Sequence, residues 1–300
     1  MKKILIIGSG SISKKHFSTI KNLRYETKVK IISSRKFEKL NKIELKRFFG
    51  IKPELIIICS PATSHLRNLK KIEKNYKNLK VLIEKPIFEK NYKIKEKLKN
   101  KYYVGYNLRF HPVIIFLKKF LRKKKIYSIN IISHSYLPDW RKFDYRDSVS
   151  AKKKLGGGVL LELSHELDYI KWIFSKIKIL FSFNNRISKL DIDTDDILSI
   201  IAEVGNKTLL NLNINFFSKI PNRTIKIDGD KFSLNADLIK NKIEIIEDKK
   251  IKIKKFSNFK IKDTYRLQCL EILQNKNLNI STLNQSLNLM KIIDTIKKYK

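Results

Sequence analysis

Three hundred residues are enough for two domains that each bury a core. Two cysteines are too few for a disulfide framework, which implies a reducing compartment. No apolar run approaches the roughly 20 residues that span a bilayer, so the chain reads as cytoplasmic and not membrane-bound. The net charge of +38 has two readings: an anionic polymer or surface as partner, or the lysine-, isoleucine- and asparagine-rich usage of an A- and T-rich genome. The lysines are spread along the chain, and short runs such as Lys123-Lys124-Lys125 lack interleaved aromatic rings. The second reading is therefore preferred, with no specific nucleic-acid partner expected.

The chain opens MKKILIIGSGSIS. Its apolar stretch is too short for the core of a secretion signal and runs into glycine and serine. The alternative is a buried strand over Lys3–Ile7, a turn through Gly8 and Gly10, and a helix from near Ile12. The open N–H groups at Ser11 and Ile12 would then hold a phosphate, with the glycines admitting the pyrophosphate. Ser13 stands where the fingerprint has its third glycine, so the motif needs a strand–helix–strand context. That context follows. Val29–Ser33, Leu55–Cys59, Val81–Glu84 and Tyr102–Tyr106 read as strands, separated by helical periodicity over Ile12–Leu23, Lys36–Phe49 and Ala62–Tyr76. Alternation of this kind implies a parallel sheet with helices on both faces.

In such sheets ligands sit at the carboxyl ends of the strands. Ser33-Ser34-Arg35 ends the second strand without an acid, a composition that suits a 2′-phosphate and hence NADP. Ser60-Pro61 follows the third strand, and Glu84-Lys85-Pro86 the fourth. Lys85 is thereby aimed at the crevice, where partial desolvation would let it exchange protons near neutrality.

Beyond residue 115 the pattern changes. Leu210–Phe216 alternates apolar and asparagine residues as a half-solvated antiparallel strand does; Ile126–Ser133, Ile197–Glu203, Thr224–Asp228 and Lys242–Glu247 read as strands with less regularity. Helices are expected near 159–174, 264–274 and 282–298. The division expected is 1–115 for a dinucleotide-binding domain and 116–300 for a substrate-binding and oligomerisation domain.

The ordered set Gly8-Ser-Gly10, Ser60-Pro61 with His65, Glu84-Lys85-Pro86, Gly105-Tyr-Asn-Leu-Arg109-Phe-His-Pro112, Gly156-Gly-Gly-Val-Leu-Leu-Glu162 and Asp193-Thr-Asp-Asp196 resembles the Gfo/Idh/MocA family of NAD(P)-dependent oxidoreductases over nearly the whole chain. The resemblance implies a doubly wound Rossmann domain followed by an α/β domain with a large, mainly antiparallel open sheet. With Ser33, Ser34 and Arg35 from the second strand's end, the cofactor contacts expected are Gly8, Gly10, Ser11, Ile12, Ser60, Pro61, His65, Glu84 and Lys85, and the resemblance implies a catalytic role for Lys85. It also implies dimers or tetramers formed through the open sheet face.

The family's second-domain motif is an aspartate followed four residues later by a histidine. Here Glu162 supplies the carboxylate, His165 comes one residue early and Glu166 fills the usual histidine place. On a continuous helix Glu162 and His165 lie one turn apart, with Asp168 to the side, so His165 could relay a proton with either carboxylate or the set could be a solvated face. The five histidines lack metal-ligand spacing, and no metal is expected. Arg109 reads equally as a substrate contact or a buried structural arginine. Trp140 and Arg141, in a loop of rings and arginines, suit a sugar and an acidic group. The function expected is hydride transfer between NAD(P) and a sugar or nucleotide-sugar alcohol or ketone; the alternative is a non-catalytic dinucleotide sensor.

Overall fold

The computed structural model describes residues 1–41, 44 and 52–299. They form two compact units, Met1–Phe110 with Lys260–Asn288, and His111–Phe259 with Leu289–Lys300. The first begins β1 (Lys2–Ile7), α1 (Ser11–Lys21), β2 (Thr27–Ile32), α2 (Ser34–Lys39), β3 (Leu55–Ile58), α3 (Ala62–Asn75), β4 (Lys80–Ile83) and β5 (Lys101–Val104). Strands pair in parallel in the order β2-β1-β3-β4-β5. Ile4–Ile7 and Leu55–Ile58 are buried on both faces, as the inner strands of a parallel sheet must be. The reversal of strand order between β1 and β3 opens a crevice at their carboxyl ends. Of the expected helix Lys36–Phe49, α2 covers the start, and residues 42, 43 and 45–51 lie outside the described residues.

The second unit starts with α4 (Pro112–Phe120), which the sequence reading did not anticipate; Pro112 sits in its first turn and the His111 ring caps it by accepting from the Val113 N–H. After β6 (Ile126–Tyr136) come α5 (Val159–Glu162) and α6 (His165–Phe174), then β7 (Ile177–Asn185), β8 (Ile197–Val204), β9 (Thr208–Asn215), β10 (Phe217–Gly229), β11 (Phe232–Asp237), β12 (Lys242–Glu247) and β13 (Lys250–Lys255). The sheet order is β13-β12-β11-β10-β6-β9-β8-β7, antiparallel except for the central β6–β9 pair. Ile129 and Ile131 on β6, Leu210, Leu212 and Ile214 on β9, and Ile225 and Ile227 on β10 are buried on one face. The other face carries an Asn211–Asn130 hydrogen bond (3.0 Å) and a His134–Asn213 one (2.7 Å), with Phe181, Phe183, Ile201 and Leu209 exposed.

The single helix expected near 159–174 is broken at Leu163-Ser164, where the Ser164 hydroxyl donates back to the Leu161 carbonyl (2.8 Å). The chain then returns to the first unit through α7 (Lys262–Leu273) and β14 (Ser281–Thr282), and ends in α8 (Leu283–Lys298). Cys269, Ile272, Leu273 and Ile280 complete the cluster built by Ile4, Ile6, Ile20, Leu55 and Ile57. This burial draws Lys260–Asn288 back, so the chain crosses between units at 110–111, 259–260 and 288–289, where a single cut after 115 was expected. Among the described residues no helix is long and apolar enough to cross a membrane.

Candidate functional site

The crevice of the first unit begins at Gly8. Its φ is +127°, and a Cβ there would lie 2.7 Å from the carbonyl carbon and oxygen of Cys59, so only glycine lets the ends of β1 and β3 approach this closely. Gly10 caps α1 with no side-chain hydrogen bond, and a Cβ added to it would meet nothing within 4 Å. The first-turn N–H groups of Ser11 and Ile12 therefore stand beneath open backbone at a helix N-terminus, a cradle that fits a pyrophosphate. Ser13, in the place of the third glycine, is buried beside the Cys59 thiol, which burial holds well above the usual thiol range. A small side chain thus preserves the helix–strand contact that the missing glycine would allow.

The end of β2 is less open than its sequence suggested. Ser33 caps α2 by accepting from the Lys36 N–H (3.3 Å), and the Ser34 hydroxyl donates to Glu38 (3.1 Å). Arg35 is exposed. Asn68, fully buried on α3, donates to both Ser34 Oγ (3.1 Å) and Ser60 Oγ (3.0 Å), joining the ends of β2 and β3. Sequence reasoning passed over Asn68. The signal was there: His65 and Asn68 are polar residues on the stripe of α3 that also buries Leu69 and Ile72.

Glu84 and Lys85 follow directly on β4. The Glu84 carboxylate is buried, accepts from the His16 Nε2–H (2.6 Å), and lies against Gly105, where a Cβ would be 2.8 Å from Oε1. The edge of the His16 ring meets Tyr265 of α7 at 5.3 Å. Lys85 is half-buried, and its bond to Pro86 is cis. His65, 1% exposed, stands between Ser60 and the Pro86-Ile87 carbonyls, with burial pushing its ring below the ordinary imidazole value. Gly8, Gly10, Ser11, Ile12, Ser60, Pro61, Glu84 and Lys85 thus gather at the carboxyl ends of β1, β3 and β4. Arg109 is 2% exposed and donates to Gln285 (2.7 Å), which favours its structural reading over substrate contact.

In the second unit, the triple glycine and the acidic run form one device. A Cβ on Gly158 (φ +107°) would lie 2.1 Å from Asp195 Oδ1; the Asp195 carboxylate accepts from the Leu160 N–H (2.8 Å) and its carbonyl from the Val159 N–H (2.9 Å). Burial holds the Asp195 carboxyl above the usual range. Because the helix is broken after Glu162, the 100° spacing that placed Glu162 beside His165 does not carry across the gap. The solvated-face alternative also falls: Glu166, Asp168 and Tyr169 are 0%, 2% and 1% exposed, while Glu162 and His165 are half-buried. Glu166 is paired with Arg223 of β10 (2.6 Å), and burial together with Glu166 raises the Tyr169 phenol far above its ordinary value. Trp140 packs edge-on against Phe216 (5.2 Å) and Arg141 donates to Ser150 (3.4 Å).

Two family models match, "Oxidoreductase family, NAD-binding Rossmann fold" over residues 2–106 and "GFO/IDH/MocA C-terminal domain" over residues 117–235. No curated protein sequence matches. Among solved structures, the chain is similar to UDP-N-acetylglucosamine 3-dehydrogenase GnnA from Acidithiobacillus ferrooxidans, at 11% identity and a TM-score of 0.74, covering 98% of this chain and 96% of that one. It is similar to levoglucosan dehydrogenase in complex with NADH, at 11% identity, TM-score 0.78 and coverage of 99% and 96%. It is also similar to a super-repressor mutant of Gal80p from Saccharomyces cerevisiae, at 14% identity, TM-score 0.79 and coverage of 99% and 95%. At these identities the structures speak for the fold. Both halves of the sequence match models of a single family, and the glycine cradle fits the dinucleotide that its first domain binds: the chain belongs to the Gfo/Idh/MocA family of oxidoreductases, with an NAD(P)-binding Rossmann domain.

Proposed function

We propose that the chain transfers hydride between NAD(P) and a carbinol or keto carbon of a sugar or nucleotide sugar, with Lys85 as the proton-transfer group. The observation that carries this reading is the position of Lys85, half-buried at the carboxyl end of β4, the same sheet edge at which β1, two strands along, ends in the Gly8–Ile12 cradle. When bound, the nicotinamide supplies the hydride chemistry. The chain's own residues do the rest. The N–H groups of Ser11 and Ile12 hold the pyrophosphate, and the Lys85 amine takes the hydroxyl proton in oxidation and returns it in reduction. Glu162, His165 and Asp168 are the second unit's proton-relaying and substrate-holding groups, with Asp168 buried and Glu162 and His165 half-buried. Trp140 and Arg141 supply a ring for a sugar face and a cation for an acidic substituent.

Arg35, exposed at the end of β2 with no acid beside it in sequence, supports NADP over NAD. The outward sheet face with Phe181, Phe183, Ile201 and Leu209 supports a homo-oligomer, and two buried free thiols support a reducing, cytoplasmic setting. The likeness to sugar dehydrogenases supports the substrate class, with surface-carbohydrate synthesis as the setting.

A dinucleotide sensor without turnover is the second reading. It is favoured by Glu166, which fills the family's histidine place and is committed to Arg223, and by the likeness to a repressor. A panel of nucleotide sugars and free sugars, offered with NADP(H) and NAD(H), separates the two. The enzyme reading expects nicotinamide absorbance to change with at least one member, and faster with the phosphorylated coenzyme. Dinucleotide binding with no turnover across the panel would support the sensor.

A further inference from the structure

The sheet ladder holds the chain as far as Glu84, whose N–H donates to the Ile58 carbonyl (2.9 Å) and whose carboxylate is pinned by His16 (2.6 Å). On the far side of Lys85 the fastening is a histidine ring. His65 Nδ1 lies 3.1 Å from the Pro86 carbonyl and 3.0 Å from that of Ile87, and Nε2 lies 2.8 Å from the Ser60 carbonyl. All three partners can only accept, so only a ring nitrogen that carries hydrogen bonds them, and a neutral ring can serve one side alone. Lys85, whose own N–H donates to the Glu84 carboxylate (3.4 Å), is therefore flanked by two fixed points.

We propose that His65 is a positioning residue that fixes the Lys85-Pro86-Ile87 turn to α3 and so helps set where the Lys85 amine stands. This replaces the cofactor contact expected from sequence, because the ring is 1% exposed and both its nitrogens face backbone. The proposal rests on the reading of Lys85 as the proton-transfer group. Burial disfavours the doubly protonated ring, and a neutral imidazole carries one N–H. We place that hydrogen on Nδ1, which faces two carbonyls and so holds the turn rather than the strand.

Two substitutions separate the sides of the ring. His65→Asn retains an amide N–H near Nδ1 and loses the reach to Ser60; His65→Gln reaches toward Ser60 and abandons the turn. Misplacement of a reacting group costs on the order of 10- to 100-fold in rate. His65→Gln should lose kcat by that amount with the dinucleotide KM within about twofold of the parent, and His65→Asn should recover most of it. In the coenzyme-free chain, the rate at which acetic anhydride modifies Lys85, read by peptide mass spectrometry, should change in His65→Gln and stay near the parent in His65→Asn. The parent, with ¹⁵N-labelled histidine, should show the proton on Nδ1 of this ring. An Nε2–H tautomer, unaltered Lys85 labelling in His65→Gln, or equal losses of activity in both variants would overturn the proposal. Should Lys85→Ala turn over normally, the catalytic reading fails by itself, and labelling and tautomer still decide whether the brace exists.

Discussion

At the scale of single residues, imidazoles do structural work at the borders of elements. His16 pins the buried Glu84 carboxylate, and His111 caps α4 through its Nδ1 lone pair, with its ring against Phe259 at 4.8 Å. A cap of that kind needs the neutral ring. Burial, and then the Arg223 guanidinium, push the His111 ring down to about 4 from its ordinary 6.5. Over that window the unfolded chain binds a proton that the folded chain does not, so stability is full above about pH 6.5 and falls as pH drops toward 4. The loss should approach about 3 kcal/mol. Urea midpoints measured across this range should show it, and His111→Gln should flatten the dependence; an equally steep parent and variant would contradict the assignment.

At the scale of elements, the start of α5 depends on Gly158, because the Asp195 carboxylate occupies the volume a Cβ would take. Gly158→Ala should destabilise the chain by at least about 2 kcal/mol, from a strained positive φ and the displaced cap. Thermal unfolding checks this, and an unchanged midpoint would show that the Asp195 cap can move aside. The strands of the first unit were legible because Ile4–Ile7 and Leu55–Ile58 are uniformly apolar runs between turn residues. The strand Ile177–Asn185 escaped because its register shifts between Ile179 and Phe181, which breaks the alternation and leaves Phe181 and Phe183 exposed. The break at Leu163-Ser164 escaped because apolar spacing runs straight through it; its cause is a serine hydroxyl bonding to backbone. The placement of Gly8, Gly10 and Lys85 at strand ends was legible because the strands before them are plain apolar runs that stop at these residues. Besides their nearby contacts with Ser60, His65 and Asn68 reach the Pro86-Ile87 turn and Ser34, and His16 reaches Glu84, 21 to 68 residues away, and no local pattern reveals such partners.

At the scale of the whole molecule, the chain visits the first unit twice. Lys260–Asn288 returns because Cys269 and Ile272 complete a core begun at Ile4, a long-range term that local spacing does not encode. The +38 charge concentrates anions around the protein, including a phosphorylated coenzyme or an acidic sugar, without selecting among them. Selection belongs to the site, and the proposed chemistry there turns on one amine. The direct test compares turnover and dinucleotide affinity in the parent and in Lys85→Met, which keeps the length of the side chain and removes the proton. If Lys85 is the proton-transfer group, kcat should fall about 10²- to 10⁴-fold, the usual worth of a positioned acid–base group, with the dissociation constant for the dinucleotide within about twofold. A Lys85→Met variant that keeps the parent's kcat, or that loses dinucleotide binding along with activity, would contradict that role.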